Sequence, residues 1–355
     1  LEFRRVLFLS VAAHASAAAF VFSTGNPDGK IATLSRPAGP GKLQTETADD
    51  FISTESIVIN QATFTGLLPT GSSLDDVNGV EVEIYHVFPF DSVFPPSGNV
   101  PNPTNSPSDV EIDSATRDSD DASLAFNTVL ISSSFTASNS VVNGINKQPA
   151  QKTNGEGPVS GQEVTITVTF NPPIALPADH YFFRPEVRLN SGGDFLWLSA
   201  PRPIVAPGIP FLGDLQSWIR NDDLAPDWLR IGTDITGQGP FNAAFSLIGE
   251  SDADGDGVAD SLDQCPGTPA GEIVDADGCS IDQLVPCSGP ASGGAWKNHG
   301  QYVSSVAHVV ESFLQQGLIT EAQAAIIMSQ AAQSDCGRNQ VTTTRAIRRH
   351  SHRQH

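Results

Sequence analysis

Residues 252–263 read Asp-Ala-Asp-Gly-Asp-Gly-Val-Ala-Asp-Ser-Leu-Asp. Asp252, Asp254, Asp256, Asp260 and Asp263 therefore occupy positions 1, 3, 5, 9 and 12 of a loop, with Gly257 at position 6 and Val258 at position 7. Carboxylates on alternate residues can turn their oxygens towards one centre. The glycine allows the sharp turn, and the backbone carbonyl of Val258 adds another oxygen. A hard cation such as Ca²⁺ takes roughly six to eight oxygens at about 2.3–2.6 Å, and this spacing supplies such a set. Without a cation the same five carboxylates would repel one another and form an open, solvated acidic loop. The spacing favours Ca²⁺ as the cofactor.

An EF-hand would carry on from such a loop into a helix, and its twelfth residue is usually Glu. Here position 12 is Asp263, followed by Gln264-Cys265-Pro266-Gly267, where Pro and Gly stop a helix. Val274-Asp275-Ala276-Asp277-Gly278-Cys279 comes next. The combination resembles a thrombospondin type 3 repeat of bacterial envelope and secreted proteins, over about residues 251–285. A dockerin has a similar loop but needs a second complete loop and flanking helices. The resemblance implies Ca²⁺ held by Asp252, Asp254, Asp256, Asp260 and Asp263, with a contribution from Asp275, Asp277 and Asp282. The chain has four cysteines, Cys265, Cys279, Cys287 and Cys336, which by themselves allow three pairings. The resemblance implies Cys265–Cys279, which leaves Cys287–Cys336. No Cys-x-x-Cys spacing points to zinc instead.

Disulfides and calcium both point to an oxidising compartment, hence to a secreted or cell-envelope protein. Arg4-Arg5, the apolar Val6–Leu9 and the small residues His14–Ala19 have the order of an export signal, with Ala15-Ser16-Ala17 as the cleavage zone. The first ten residues also resemble the translation of a sequencing adapter, so the export expectation rests more on the cysteines and the acidic loop. No later apolar run reaches the ~20 residues of a membrane span. Net charge is −21, and residues 20–337, with 12 basic and 39 acidic residues, reach −27. Such a body repels nucleic acid and anionic membranes and attracts divalent cations.

The elements that must hold the loop read as strands. Glycine (31) and proline (26) are abundant, and period-two runs recur from about residue 24 to 250. They include 57–64, 80–86, 126–131, 164–170, 181–183, 195–198 and 241–247. Val80, Val82, Ile84 and His86 alternate with Glu81, Glu83 and Tyr85, the pattern of a half-buried strand. Seven or eight strands without long helical patterns between them predict an antiparallel β-sandwich. Residues 89–122, with six prolines, and 143–162 read as irregular surface excursions. Leu176–Phe183 resembles a turn-into-strand of bacterial extracellular β-sandwiches, L-x-x-G-x-Y, with Asp179 where glycine is usual.

Further on, the period changes. Val303, Val306, Val310, Phe313 and Leu314 share a helical face, Gly317 stops that helix, and Thr320-Glu321-Ala322-Gln323 has capping-box spacing. Ala322, Ala325, Ile326, Ser329 and Ala332 are expected to meet the first stripe. Trp296–Tyr302 resembles modules that follow calcium repeats in bacterial secreted proteins. The expected class is therefore mostly β: a sandwich (20–250), an irregular calcium repeat (251–286) and a small helical hairpin (287–337). A signal-like segment (1–19) and a basic tail (338–355) flank them.

The best catalytic candidates are Asp214, Asp222, Asp223, Asp227 and Asp234, near Trp218 and Trp228, since paired carboxylates and aromatic platforms suit glycoside hydrolysis. Their Asn-Asp-Asp and Ala-Pro-Asp settings are those of turns and caps, and no spacing selects a pair. His86, His180, His299 and His308 read as structural residues, and no catalytic motif is present. The chain is thus expected to be non-catalytic, a structural or adhesion protein in which Ca²⁺ rigidifies a linker and a cell-surface protein is a partner. The alternative is a carbohydrate-binding or carbohydrate-processing sandwich on the same spacer, with an extracellular glycan as partner.

Overall fold

The computed structural model describes residues 18–101, 103–146, 152–190 and 192–338. The export-signal segment up to residue 17, part of the 143–162 excursion and the tail from residue 339 lie outside the described residues. Two compact units meet between Leu262 and Asp263.

The first unit is a β-sandwich. Its strands are β1 (Ala19–Ser23), β2 (Ile31–Leu34), β3 (Thr45–Ser53), β4 (Ile57–Pro69), β5 (Val77–His86), β6 (Arg117–Asp118), β7 (Leu124–Ala137) and β8 (Asn139–Val141). They continue as β9 (Val159–Leu176), β10 (Asp179–Leu189), β11 (Leu196–Ala200), β12 (Trp218–Asn221), β13 (Leu229–Arg230), β14 (Asn242–Ala243) and β15 (Phe245–Ser251). The expected seven or eight become fifteen among the described residues. Two-residue strands such as β6, β13 and β14 are too short to carry a period, so tertiary pairing alone defines them.

One sheet centres on β4, which pairs with β9 on one side and with β15 and β11 on the other. Strand β7 extends it beyond β9. The second sheet runs β13-β12-β3-β10-β5-β6. Pairing is antiparallel except between β2 and β8. Aromatic rings fill the space between the sheets: Phe183 of the second stacks on Phe245 of the first at 5.1 Å and lies 6.0 Å from Trp197. At the β9–β10 turn, the Tyr181 hydroxyl donates to the Pro177 carbonyl at 2.9 Å and fixes the entry into β10.

The opposite face of the second sheet departs from expectation. Strand β5 is buried on both sides, because Glu83 and Tyr85 are covered as fully as Val82 and Ile84. They belong to a charged layer around Arg184, which is 1% exposed. Its guanidinium lies 2.7 Å from Glu46, 3.1 Å from Glu83 and 3.3 Å from Glu186. Arg220 also pairs with Glu46, and it lies over the Trp228 ring at 4.3 Å. The 89–122 excursion closes this layer: Ser108 accepts the Trp228 indole N–H at 3.0 Å and Asp109 accepts from Arg220 at 3.0 Å, both through backbone carbonyls. The proline-rich segment is a cover for buried charge.

Three buried carboxylates face two guanidiniums here, so negative charge is in excess. Burial raises Glu46, but Arg184 and Arg220 outweigh it and hold that carboxyl at about 2. Burial pushes Glu83 up to about 7, with Arg184 opposing and Glu46 adding to the rise. A carboxyl raised in the fold stabilises fully below its unfolded value near 4.5, and the contribution is lost as pH rises towards 7. Glu83→Gln, which mimics the protonated acid, is expected to reduce the fall in melting temperature between pH 5 and 8 by several degrees. An unchanged slope in thermal scans would refute this assignment.

The second unit contains α1 (Ile281–Leu284), α2 (His299–Gln315) and α3 (Glu321–Gln333). Asn298 caps α2 through Gln301, and Thr320 and Gln323 form the expected capping box on α3. Tyr302, Val306, Val310 and Phe313 bury one face of α2 around Trp296, Val285 and Ile319. On α3 the inward residues are Ala324, Ile327, Met328 and Ala331, whereas Ala322, Ala325, Ile326, Ser329 and Ala332 are exposed, which corrects the expected stripe. Small and apolar residues lie all round this helix, so composition leaves the facing stripe open and packing decides it. Both disulfides are formed, Cys265–Cys279 and Cys287–Cys336. A core this small depends on such a crosslink. Replacing Cys287 and Cys336 by Ser is expected to cost the second unit about 4 kcal/mol. Loss of helical circular dichroism at a clearly lower temperature is the readout.

Candidate metal centre

Strand β15 delivers the acidic loop. Ser251 ends the strand with its N–H on the Ala18 carbonyl at 3.0 Å, and Asp252 N–H bonds the Ser56 carbonyl at 3.0 Å. Asp252 is thereby buried, 2% exposed, while Asp254 and Asp256 are half-buried. The chain then turns through Gly255 (φ +76°) and Gly257 (φ +94°), a left-handed geometry that costs side-chain-bearing residues free energy. The two carboxylate oxygens of Asp252 accept the Gly255 and Gly257 N–H groups at 2.9 and 3.0 Å, and Asp256 accepts Val258 N–H at 2.9 Å.

This fold brings one carboxylate oxygen each of Asp252, Asp254 and Asp256 within 4.8 Å of one another, a cluster that could hold a metal ion. At that separation each ionised pair repels by about 3 kcal/mol at an effective dielectric constant near 20. Burial pushes the Asp252 carboxyl above the ordinary range and the Asp254 charge adds to this, with the Gly257 and Gly255 amides opposing. A divalent cation reverses both penalties. The donor set is all oxygen, which suits a hard cation.

The other expected ligands make hydrogen bonds of their own. Asp260 closes the loop: one oxygen accepts from Ser251 Oγ at 2.5 Å and the other from Ala253 N–H at 2.7 Å. Val258 follows Gly257 on the same turn and is half-buried. Asp263 belongs to the second unit, where it accepts Cys265 N–H at 2.7 Å. In that unit Asp275 accepts the Asp277 and Cys279 N–H groups, and Asp277 accepts from Gln264. Among the described residues no other group of three His, Cys, Asp or Glu side chains brings its ligand atoms close enough together to hold a metal ion.

The aspartates weighed as catalytic are built into the scaffold. Asp234 clasps Arg230 at 2.9 and 2.7 Å, Asp227 accepts from Ser97, and Asp222 accepts Gln44 N–H at 2.9 Å. Asp223 lies exposed in the turn after β12, and Asp214 pairs with Arg202 at 3.5 Å. His180 meets Asp50 at 2.7 Å, while His86 lies between Asp91 and Asp179. The ring nitrogens of His299 lie 2.8 and 3.0 Å from the Cys336 and Ala332 carbonyls, and His308 sits within α2. All four tryptophans and all three tyrosines are buried, so no sheet face presents a Trp or Tyr platform. Asp49, which sequence reasoning did not single out, is wholly buried between Ser217 and the Ala243 amide. Burial and the adjacent Asp50 raise its carboxyl well above the ordinary range.

No family model matches the chain. An alpha-agarase of Thalassotalea agarivorans is 46% identical over 54 residues, 15% of this chain and 3% of that protein. An alpha-agarase of Alteromonas agarilytica is 64% identical over 33 residues, 9% of this chain and 2% of that protein. The chain thus spans only a few per cent of the length of these curated relatives, and 54 residues are too few to carry the sandwich. Among the described residues no helix is long and apolar enough to cross a membrane.

Asp254→Asn is expected to weaken divalent-cation binding at least about tenfold, whereas Asp223→Asn, in the exposed turn after β12, leaves it unchanged. Calorimetric titration of both variants checks the placement of the centre.

Proposed function

We propose that the chain is a secreted, calcium-binding structural or adhesion protein, in which Ca²⁺ stiffens the segment leaving the sandwich. The observation that carries this reading is the convergence of Asp252, Asp254 and Asp256 on a glycine-punctuated turn anchored to β15 and Ser56. Ca²⁺ supplies the positive charge that lets three crowded carboxylates stay ionised. The chain's own part is to hold them: Gly255 and Gly257 form the turn, their amides orient Asp252, and Asp260 ties the loop back to Ser251. Such a site barely exists in the unfolded chain, so binding free energy becomes folding free energy of the segment. The thrombospondin type 3-like reading of 251–285 is supported by the Cys265–Cys279 disulfide and by Asp275 bonding the Cys279 amide. Two disulfides support an extracellular or cell-envelope location.

A second reading is favoured by the relatives, both named alpha-agarase. In it the sandwich is a carbohydrate-directed module, binding or processing glycan, displayed on the same calcium-stiffened spacer. Calorimetric Ca²⁺ titration with parallel thermal scans tests the first reading. Uptake at or below about millimolar Ca²⁺ is expected, with chelator loosening the loop while the sandwich still melts at its own temperature. Absence of uptake at millimolar Ca²⁺ overturns it, and collapse of the whole chain in chelator overturns the local role of the ion.

A further inference from the structure

Among the described residues, the strands that end the two sheets are short with one exception. Strand β1 has five residues, β8 three, and β6, β13 and β14 two each, whereas β7 has fourteen. A long edge presents a row of unpaired N–H and C=O groups, and proteins blunt such edges with charge, proline or brevity. Leu124–Ala137 contains no charged residue and no proline, although residues 20–337 carry a net charge of −27. Val129, Leu130 and Ile131, in the middle of this edge, are 48, 41 and 56% exposed.

The register identifies the backbone groups on the open side. Asn171 N–H bonds the Ser123 carbonyl at 2.8 Å, next to the run of pairs from Leu124–Phe170 to Leu130–Val164. Antiparallel ladders alternate between bonded and non-bonded pairs. The N–H and C=O groups of Ala125, Asn127 and Val129 therefore face β9, and those of Phe126, Thr128 and Leu130 point away from it. Among the described residues nothing hydrogen-bonds to them on that side. The register with β9 is regular from Leu124 to Leu130 and shifts between Leu130 and Ser132. That irregularity interrupts the edge and confines an added strand to the regular stretch.

We propose that this edge pairs with the same edge of a second copy of the chain, antiparallel about a two-fold axis at Thr128. Thr128 then faces its own copy, Phe126 faces Leu130, Asn127 faces Val129 and Ala125 faces Ile131. About six backbone hydrogen bonds close the join, which continues the β4-β9-β7 ladder across both copies. In such a pairing a charge near the centre lies opposite or diagonal to its own copy, which is destabilising. The uncharged stretch meets that constraint. The acidic surface elsewhere keeps copies apart, so charge selects this edge for self-association. One strand pair is smaller than a standard interface of about 800 Å² per partner, so a micromolar dissociation constant is expected. The pairing lies within the sandwich and is independent of the calcium reading.

The test is sedimentation equilibrium of the full chain, saturated with Ca²⁺, from about 5 to 500 µM. A reversible dimer is expected. Leu130→Pro removes one outward N–H and spares the ladder to β9, and Val129→Lys sets like charges together across the axis. Each is expected to weaken dimerisation at least about tenfold, with the melting temperature of the dilute monomer shifted by no more than about 2 °C. Val21→Lys, at an exposed position of the short edge strand β1, is expected to leave the dimer unchanged. Residue-resolved hydrogen exchange is expected to show the amides of Phe126, Thr128 and Leu130 gaining protection as concentration rises. A chain that stays monomeric throughout overturns the proposal, as does a dimer that Val129→Lys and Leu130→Pro leave intact or that Val21→Lys dissolves. Full protection of those three amides in the dilute monomer also overturns it, because another segment of the chain then covers the edge.

Discussion

A guanidinium cannot be placed in the interior of a sheet without counter-charge, and Arg184 sets that condition for the sandwich. It projects from the centre of β10, where an apolar side chain would otherwise be expected, and Glu46, Glu83 and Glu186 arrive from three strands to surround it. Removing one partner of such a buried group typically costs about 3–5 kcal/mol, because the rest is left uncompensated. The layer then needs shielding from water, which explains the cover made by Trp228 and the 89–122 segment. A loop that looks like an unconstrained excursion is thereby held by the same charges that fix the register of β3, β5, β10 and β12.

The acidic loop inherits its geometry from this frame. Strand β15 is paired with β4 along its length, so Ser251 and Asp252 leave the sheet at a fixed position beside Ser56. From there two glycines in left-handed conformation bring Asp252, Asp254 and Asp256 together. The cluster is local in sequence but anchored by contacts nearly two hundred residues away. The second unit follows another logic. Its core is a few side chains around Trp296 and Phe313, and covalent links supply what burial alone does not.

In the Arg184 layer donors and acceptors largely meet one another, and burial together with the neighbouring Glu46 charge raises the Glu83 carboxyl to about 7. The arrangement is self-sufficient structure.

What the sequence by itself determined is whatever depends on short spacing. The alternate aspartates and Gly257 marked the loop, period-two runs marked the main strands of a sandwich, and Thr320 with Gln323 marked the start of α3. Each is a contact between residues a few positions apart, so the chain carries the whole pattern. Only the tertiary structure decided that Glu83 and Tyr85 are buried, since their cover comes from Trp228 and the 89–122 segment, distant in sequence. It also turned Asp260 to the loop backbone, put Asp263 in the other unit, and faced α3 inward through Ala324, Ile327 and Ala331. The physical reason is common to all of these. Which side of an element is buried, and which oxygen finds which donor, depends on what packs against it, and one-dimensional periodicity does not contain the partner.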